Sequence, residues 1–216
     1  MVSLVPTHHP PAELLLDYAT GASSAAEALL LATHLAVCAE CRTAIRACEA
    51  IGGSLLDAMT PARLPPSLLN RTLAAIDLSD DAIASDPLPV DVRAPLRAYL
   101  DSRKTPLRTR RLPLGFRATR LPFTGTTDRV WLMTAPGGRG PLRHRHVADE
   151  WTVVLEGGFS DEDGAYAAGD FAYVEADSQH RLIAEPDEGC TCLVLVRRPP
   201  IYLTLAGRLI APFVNL

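Results

Sequence analysis

A chain of 216 residues, 48% of them hydrophobic, has the length of one large domain or two small ones, and either can bury a core. Its formal charge of −4 and pI near 5.8 argue against a general nucleic-acid binder, which carries a basic face. The most apolar stretch, Ala28 to Ala39, is about 12 residues and contains His34, short of the ~20 that cross a bilayer.

The start, Met1-Val2-Ser3-Leu4-Val5-Pro6, has neither the basic n-region nor the long apolar core of a secretory signal. Five cysteines, one pair of them at metal spacing, suit a reducing compartment better than a disulfide framework. A cytoplasmic protein is expected, with neither membrane nor direct nucleic-acid contact.

Residues 11–78 read as helical. A first helix follows Pro10-Pro11 through Glu13 to Ala19 and stops at Gly21. Ser23 or Ser24 caps a second, Ala25 to about Val37, with Glu27 in its first turn. A third runs from about Glu40 to Ala58, loosened at Gly52-Gly53. After Pro61 and Pro65-Pro66, the stretch from Ser67 to Ile76 repeats apolar residues at helical spacing. Its Leu68, Leu69, Leu73 and Ile76 make a separable amphipathic face suited to a partner.

Within this half, His34-x₃-Cys38-x₂-Cys41 places one imidazole and two thiols at i, i+4 and i+7, one face of a helix. Zinc favours that nitrogen and sulfur set, and a site closed by four protein ligands is structural. Cys48 lies roughly 10 Å further along a continuous helix, too far to share the ion. His8 and His9 precede the first helix and can fold back; spacing alone does not choose between them.

Residues 1–80 are assigned to this helical unit and 81–104 to a linker, where Asp80-Asp81, Asp86-Pro87, Pro89 and Pro95 add charge and rigidity without a core. A short helical piece, Leu96 to Leu100, is expected inside it. From there to residue 200 the period changes. Segments near 112–121, 129–135, 141–147, 151–156, 170–175, 179–185 and 190–198 are short, rich in Val, Thr and aromatics, and separated by Gly, Pro or Asp turns. They predict a small antiparallel β-sandwich or barrel, followed by a C-terminal segment, 201–216. The seven basic residues from Arg103 to Arg120 read as a solvated strand face, or one facing Asp161-Glu162-Asp163.

The β half carries a second constellation, Gly138-x₅-His144-x-His146-x₃-Glu150-x₆-Gly157, with His180 beyond Gly169. His144 and His146 are two apart on a strand and project from one face. Glu150 opens the next strand. Three imidazoles and a carboxylate converging in a small barrel suit zinc or another divalent metal.

This second pattern resembles the cupin fold, with one departure: Glu175 and Asp177 stand where cupins commonly carry Pro and Gly. Taken with the helical motif and the linker, nearly the whole chain is similar to ChrR-type anti-sigma factors, a zinc-binding anti-sigma domain joined to a cupin-like domain. That resemblance implies His9, rather than His8, as fourth zinc ligand beside His34, Cys38 and Cys41. It implies an extracytoplasmic-function-type sigma factor as partner, one chain per sigma. It also implies a cupin half that answers an oxidative signal of the singlet-oxygen or organic-peroxide class.

Cys190 and Cys192 match a cysteine pair of that family and are candidates for a redox pair, although on their strand they also read as core packing with Val194 and Val196. A different function class, a metal-dependent cupin dioxygenase or isomerase with a helical extension, would use the same three-His, one-Glu site with open coordination positions. A redox or metal sensor holding some other regulator is the third reading.

Overall fold

Helix α2 (Ala25–Leu35) is buried on almost every side, and that decides how the chain is assembled. The computed structural model describes residues 5–77 and 91–204. Ser24 caps α2 through a complete capping box: its hydroxyl accepts from the Glu27 backbone N–H at 3.2 Å, and the Glu27 carboxylate returns to the Ser24 N–H at 2.8 Å. Beyond that cap, Ala26, Leu29, Leu30, Leu31, Thr33, His34 and Leu35 are all buried. A helix apolar all round must be covered on more than one side.

One side is covered by α1 (Ala12–Ala19) and α3 (Ala39–Asp57), the other by the β half. A single apolar core therefore runs from Leu15, Leu30 and Ile45 in the helices to Val130, Trp151, Phe171, Leu193 and Leu195 in the strands. Ion pairs span the same boundary: Glu27 Oε1 with Arg197 Nη2 at 2.6 Å, and Arg93 Nη2 with Glu156 Oε2 at 2.7 Å.

Helix α3 is continuous through Gly52-Gly53, so the expected loosening there does not occur. Its N-terminal half buries Cys41 and Ile45, whereas its C-terminal half is exposed. Helix α4 (Leu68–Asp77) follows where helical spacing placed it. The centre of the proline-rich linker lies outside the described residues. Its end folds as α5 (Ala94–Asp101), which packs Leu96 against α2.

The strands are antiparallel. β1 (Thr109–Arg111), β2 (Arg117–Leu121), β3 (Arg129–Ala135), β10 (Cys190–Val196), β5 (Glu150–Ser160) and β6 (Ala165–Ala167) lie in that order, and β7 (Phe171–Val174) and β9 (Ile183–Ala184) also pair with β5. A smaller sheet holds β11 (Ile201–Tyr202), β4 (His144–Arg145) and β8 (Gln179–His180). The stretch expected as one strand near 112–121 is broken by a 3₁₀ turn, Pro113–Gly115, in which Leu114 has φ 62°. β1 is exposed along its length, consistent with a solvated basic face. The acidic turn pairs instead with Arg143, which binds Glu162.

Because the core is shared, damage in a helix should be felt in the barrel. Leu30 is fully buried, and Leu30→Ala should cost about 2–5 kcal/mol. Denaturant unfolding followed by Trp131 and Trp151 fluorescence, both reporters lying in strands, should show the lowered midpoint. A fluorescence transition unmoved by that change would mean that the helices do not brace the barrel.

Candidate metal centres

The turn between α2 and α3 brings the first set together. His34 lies near the end of α2, and Cys38 is the N-cap of α3, its sulfur accepting from the Cys41 N–H at 3.4 Å. His34 Nε2 lies 3.3 Å from Cys41 Sγ, and His9 Nδ1 lies 3.4 Å from Cys38 Sγ and 3.5 Å from Cys41 Sγ. Around a tetrahedral zinc, bonds of about 2.3 Å to sulfur and about 2.0 Å to nitrogen set such atoms roughly 3.5 Å apart. The four donor atoms all lie within 4.8 Å of one another and can hold a metal ion.

The surroundings orient these ligands. His34 Nδ1–H donates to the Gly169 carbonyl at 2.7 Å, which leaves the Nε2 lone pair aimed at the cluster. His9 is seated by its neighbours: Thr7 and His8 N–H donate to Asp170 Oδ1 at 2.7 and 3.0 Å, and Phe171 N–H donates to the His8 carbonyl at 3.1 Å. His8 points elsewhere, 3.4 Å from Asp170 Oδ2 and against the Tyr166 ring. Burial holds His34 below the ordinary imidazole value, so it stays neutral. Burial, followed by the adjacent Cys38, pushes the Cys41 thiol up to about 12.

The second set sits on β4, β8 and the turn after β4. His144 pairs with His180 across the strands, and His180 Nε2 lies 3.2 Å from His144 Nε2 and 2.8 Å from His146 Nε2. His144 Nδ1–H donates to the Leu142 carbonyl at 2.9 Å, and His180 Nδ1–H donates to Asp161 Oδ2 at 3.1 Å. Both Nε2 atoms are therefore acceptors, and their lone pairs face each other in a buried site. A cation between them removes that repulsion, and adjacent ligands of a six-coordinate metal stand about 3 Å apart, as these do.

Burial pushes His144 down to about 4 and His146 down to about 3, so neither imidazole competes for a proton near neutrality. Glu150 is near but not convergent: its Oε2 lies 3.6 Å from His146 Nδ1, the nitrogen facing away from His180. Burial raises its carboxyl to about 8. In the turn before His180, Asp177 takes the left-handed conformation at φ 65°, one open to glycine and tolerated by aspartate. Its carboxylate meets Arg145 Nη1 at 3.0 Å.

An apolar cavity of about 110 Å³ opens beside His144, lined among others by Met133, Phe159, Leu182, Val194 and Tyr202. Cys190 and Cys192 line it too. Their mutual hydrogen bond, followed by burial, holds the Cys192 thiol well above its ordinary value, which keeps it protonated. The sequence reading passed over Asp161, Asp170 and the Gly169 carbonyl, because no ligand spacing marks the residues that orient ligands. The one trace was the acidic run Asp161-Glu162-Asp163, considered only as a contact for the basic stretch Arg103 to Arg120.

Comparison with known proteins sets these sites in a family. Residues 111–198 match the ChrR cupin-like domain. Over 210 residues, 95% of this chain and 97% of the other protein, the sequence is 35% identical to anti-sigma-E factor ChrR of Cereibacter sphaeroides. The chain belongs to the ChrR family of anti-sigma factors. The crystal structure of Rhodobacter sphaeroides SigE in complex with the anti-sigma ChrR superposes with a TM-score of 0.71 at 34% identity, covering 89% of this chain and 99% of that one. The polyketide cyclase RemF of Streptomyces resistomycificus matches 53% of this chain and 91% of its own at 17% identity, with a TM-score of 0.42. ChrR is a regulator rather than an enzyme, and the fold of this chain, a helical region with a His/Cys cluster before an antiparallel cupin-like domain, superposes on it.

The thiol cluster carries its own pH dependence. Cys41 is protonated near neutrality, so a metal must displace at least that proton. Metal affinity should rise with pH, about tenfold per unit for each proton released. Competition with a chromogenic chelator from about pH 6 to about pH 8 measures it; a flat profile would place the metal away from the thiols.

Proposed function

We propose that this chain holds an extracytoplasmic-function-type sigma factor through its helical region, one chain per sigma. The barrel determines when the sigma is released, in response to an oxidative signal of the singlet-oxygen or organic-peroxide class. Since that partner is a subunit of RNA polymerase, the protein would work in the cytoplasm; among the described residues no helix is long and apolar enough to cross a membrane.

The observation that carries the binding half is an exposed apolar ridge on each of two helices. Ile51, Leu55 and Leu56 on α3 and Met59 just past its end, with Leu69, Leu73 and Ile76 on α4, are between 50% and 68% exposed. Residues 51 and 55 stand four apart on α3, and 69, 73 and 76 follow every three or four on α4, so each set forms one stripe. Leu68 is half-buried at the start of α4. Exposed apolar surface of this extent marks an interaction site, and a sigma factor laid along it would bury the surface it needs to engage polymerase. The exposed half of α3 extends the partner face that spacing had assigned to α4 alone.

Zinc bound by His9, His34, Cys38 and Cys41 would supply the folding energy that fixes α3 against α1 and α2 and so presents the exposed stripe of α3. In the barrel, His144, His146 and His180 would hold a zinc or other divalent ion, and Glu150 at the edge of the triad would have to rotate to join them. The neighbouring cavity supports the sensing half: it is apolar enough to admit a small oxidant and contains Met133, Cys190 and Cys192, all oxidisable. Cys190 and Cys192 would act there as a pair if oxidised.

Charges placed on the ridge should break the complex without unfolding the chain. Leu69→Asp with Leu73→Asp, or Leu55→Asp alone, should weaken sigma binding at least about tenfold, read by titration calorimetry and by restored sigma-dependent transcription. Unaltered inhibition would place the sigma elsewhere. His144→Ala should leave the complex intact while abolishing its dissociation on oxidant treatment; dissociation at the wild-type rate would remove the triad from sensing.

A further inference from the structure

One short stretch of chain, residues 161–171, touches both clusters. At its start, Asp161 Oδ2 accepts from His180 Nδ1 at 3.1 Å, with both side chains under 5% exposed. Asp161 Oδ1 accepts from the N–H groups of Asp163 and Gly164 at 2.9 and 3.2 Å, so the carboxylate is clamped within its own turn. β6 then runs back along β5, pairing Ala165 with Ser160 and Ala167 with Gly158. The ring of Tyr166 lies between Phe159, at 4.7 Å, and His8, at 4.3 Å.

At its far end the Gly169 carbonyl takes the His34 Nδ1–H, and Asp170 takes the two N–H groups that precede His9. Gly169 has φ 96°, and a Cβ there would meet Val37 Cγ2 at 3.0 Å and Pro6 Cγ at 3.1 Å. Glycine is what lets this carbonyl come so close to α2. Burial opposes ionisation of Asp170, yet the N–H donors of Ala167, His8 and Thr7 hold its carboxyl below the usual range. The carboxylate is thus a fixed anchor for the His9 segment.

Both ends use the same device, an oxygen that receives the outward N–H of a ligating histidine. Such partners set ligand orientation and change metal affinity tenfold or more. The geometry points to residues 161–171 as a mechanical link between the two clusters. A change in how His180 is held shifts Asp161, is carried along the paired β6, and alters the orientation of His34 and the seat of His9. The affinity of the thiol cluster for its metal then depends on the state of the histidine triad, and linkage makes the dependence reciprocal. Asp161 acts in this as a positioning residue. The inference rests on both clusters holding metal.

The test uses the full chain loaded with cobalt, whose thiolate charge-transfer absorption reports metal bound by Cys38 and Cys41. Cobalt affinity of the thiol cluster is measured by chelator competition in the wild type and in His144→Ala, which disables the triad but leaves Asp161 on His180. The two affinities should differ at least about fivefold. The same comparison made on an Asp161→Ala background should collapse to less than about twofold, whereas Asp161→Asn, which keeps an oxygen for His180, should retain the difference.

Equal affinities in the first comparison would overturn the link, as would a difference that survives Asp161→Ala undiminished. The first comparison needs no change at Asp161, so misfolding of that variant does not shelter the proposal. Loss of the thiolate absorption altogether would overturn the zinc assignment and the link together; normal absorption with equal affinities would overturn the link alone.

Discussion

Buried lone pairs that face one another are the constraint on which this molecule depends. His144 and His180 each commit their Nδ1–H to an oxygen and turn the other nitrogen inward, 3.2 Å apart. His34 does the same at the helical cluster, with two thiols and His9 beside it. Polar groups buried in this way cost free energy unless something satisfies them. A cation would do so for every donor at once, and the outward hydrogen bonds turn the lone pairs toward the place where it would sit. This argument concerns the donors and their tautomers, and it leaves the choice among divalent ions to the cell.

The second determinant is α2. Because it is covered by α1 and α3 on one side and by β5 and β10 on the other, the helical cluster is built against the barrel rather than tethered to it. The surface proposed to face the partner lies beyond, on the outer half of α3 and on α4, where no side chain is buried among the described residues. The helices and the barrel meet through a packed interface and a buried hydrogen bond from His34 to the Gly169 carbonyl. Interiors packed to this density transmit displacement instead of absorbing it.

Much of this was legible in the residues alone. Helical spacing located four helices to within about two residues, and ligand spacing singled out His34, Cys38 and Cys41 in one half and His144, His146 and His180 in the other. His8 and His9 were not separable by spacing, since both precede α1; Asp170 draws one of them aside. Glu150 followed the motif but sits at the edge of the triad, a matter of side-chain rotation that no pattern encodes. The contact between the halves was invisible for a different reason. The period of α2 is that of any buried helix, and periodicity cannot name what covers it. The two-residue strands β4, β8, β9 and β11 are too short to carry an alternation, and β6 is short and exposed at both ends.

The most direct test is elemental analysis of the full-length chain purified with its sigma factor, repeated on the complex of the Cys38→Ser, Cys41→Ser double variant if one forms. Two metal equivalents per wild-type chain, and failure of the variant to retain sigma, are what the account predicts. A wild-type complex with no metal at the thiols, or a variant that still holds sigma as tightly, would contradict it.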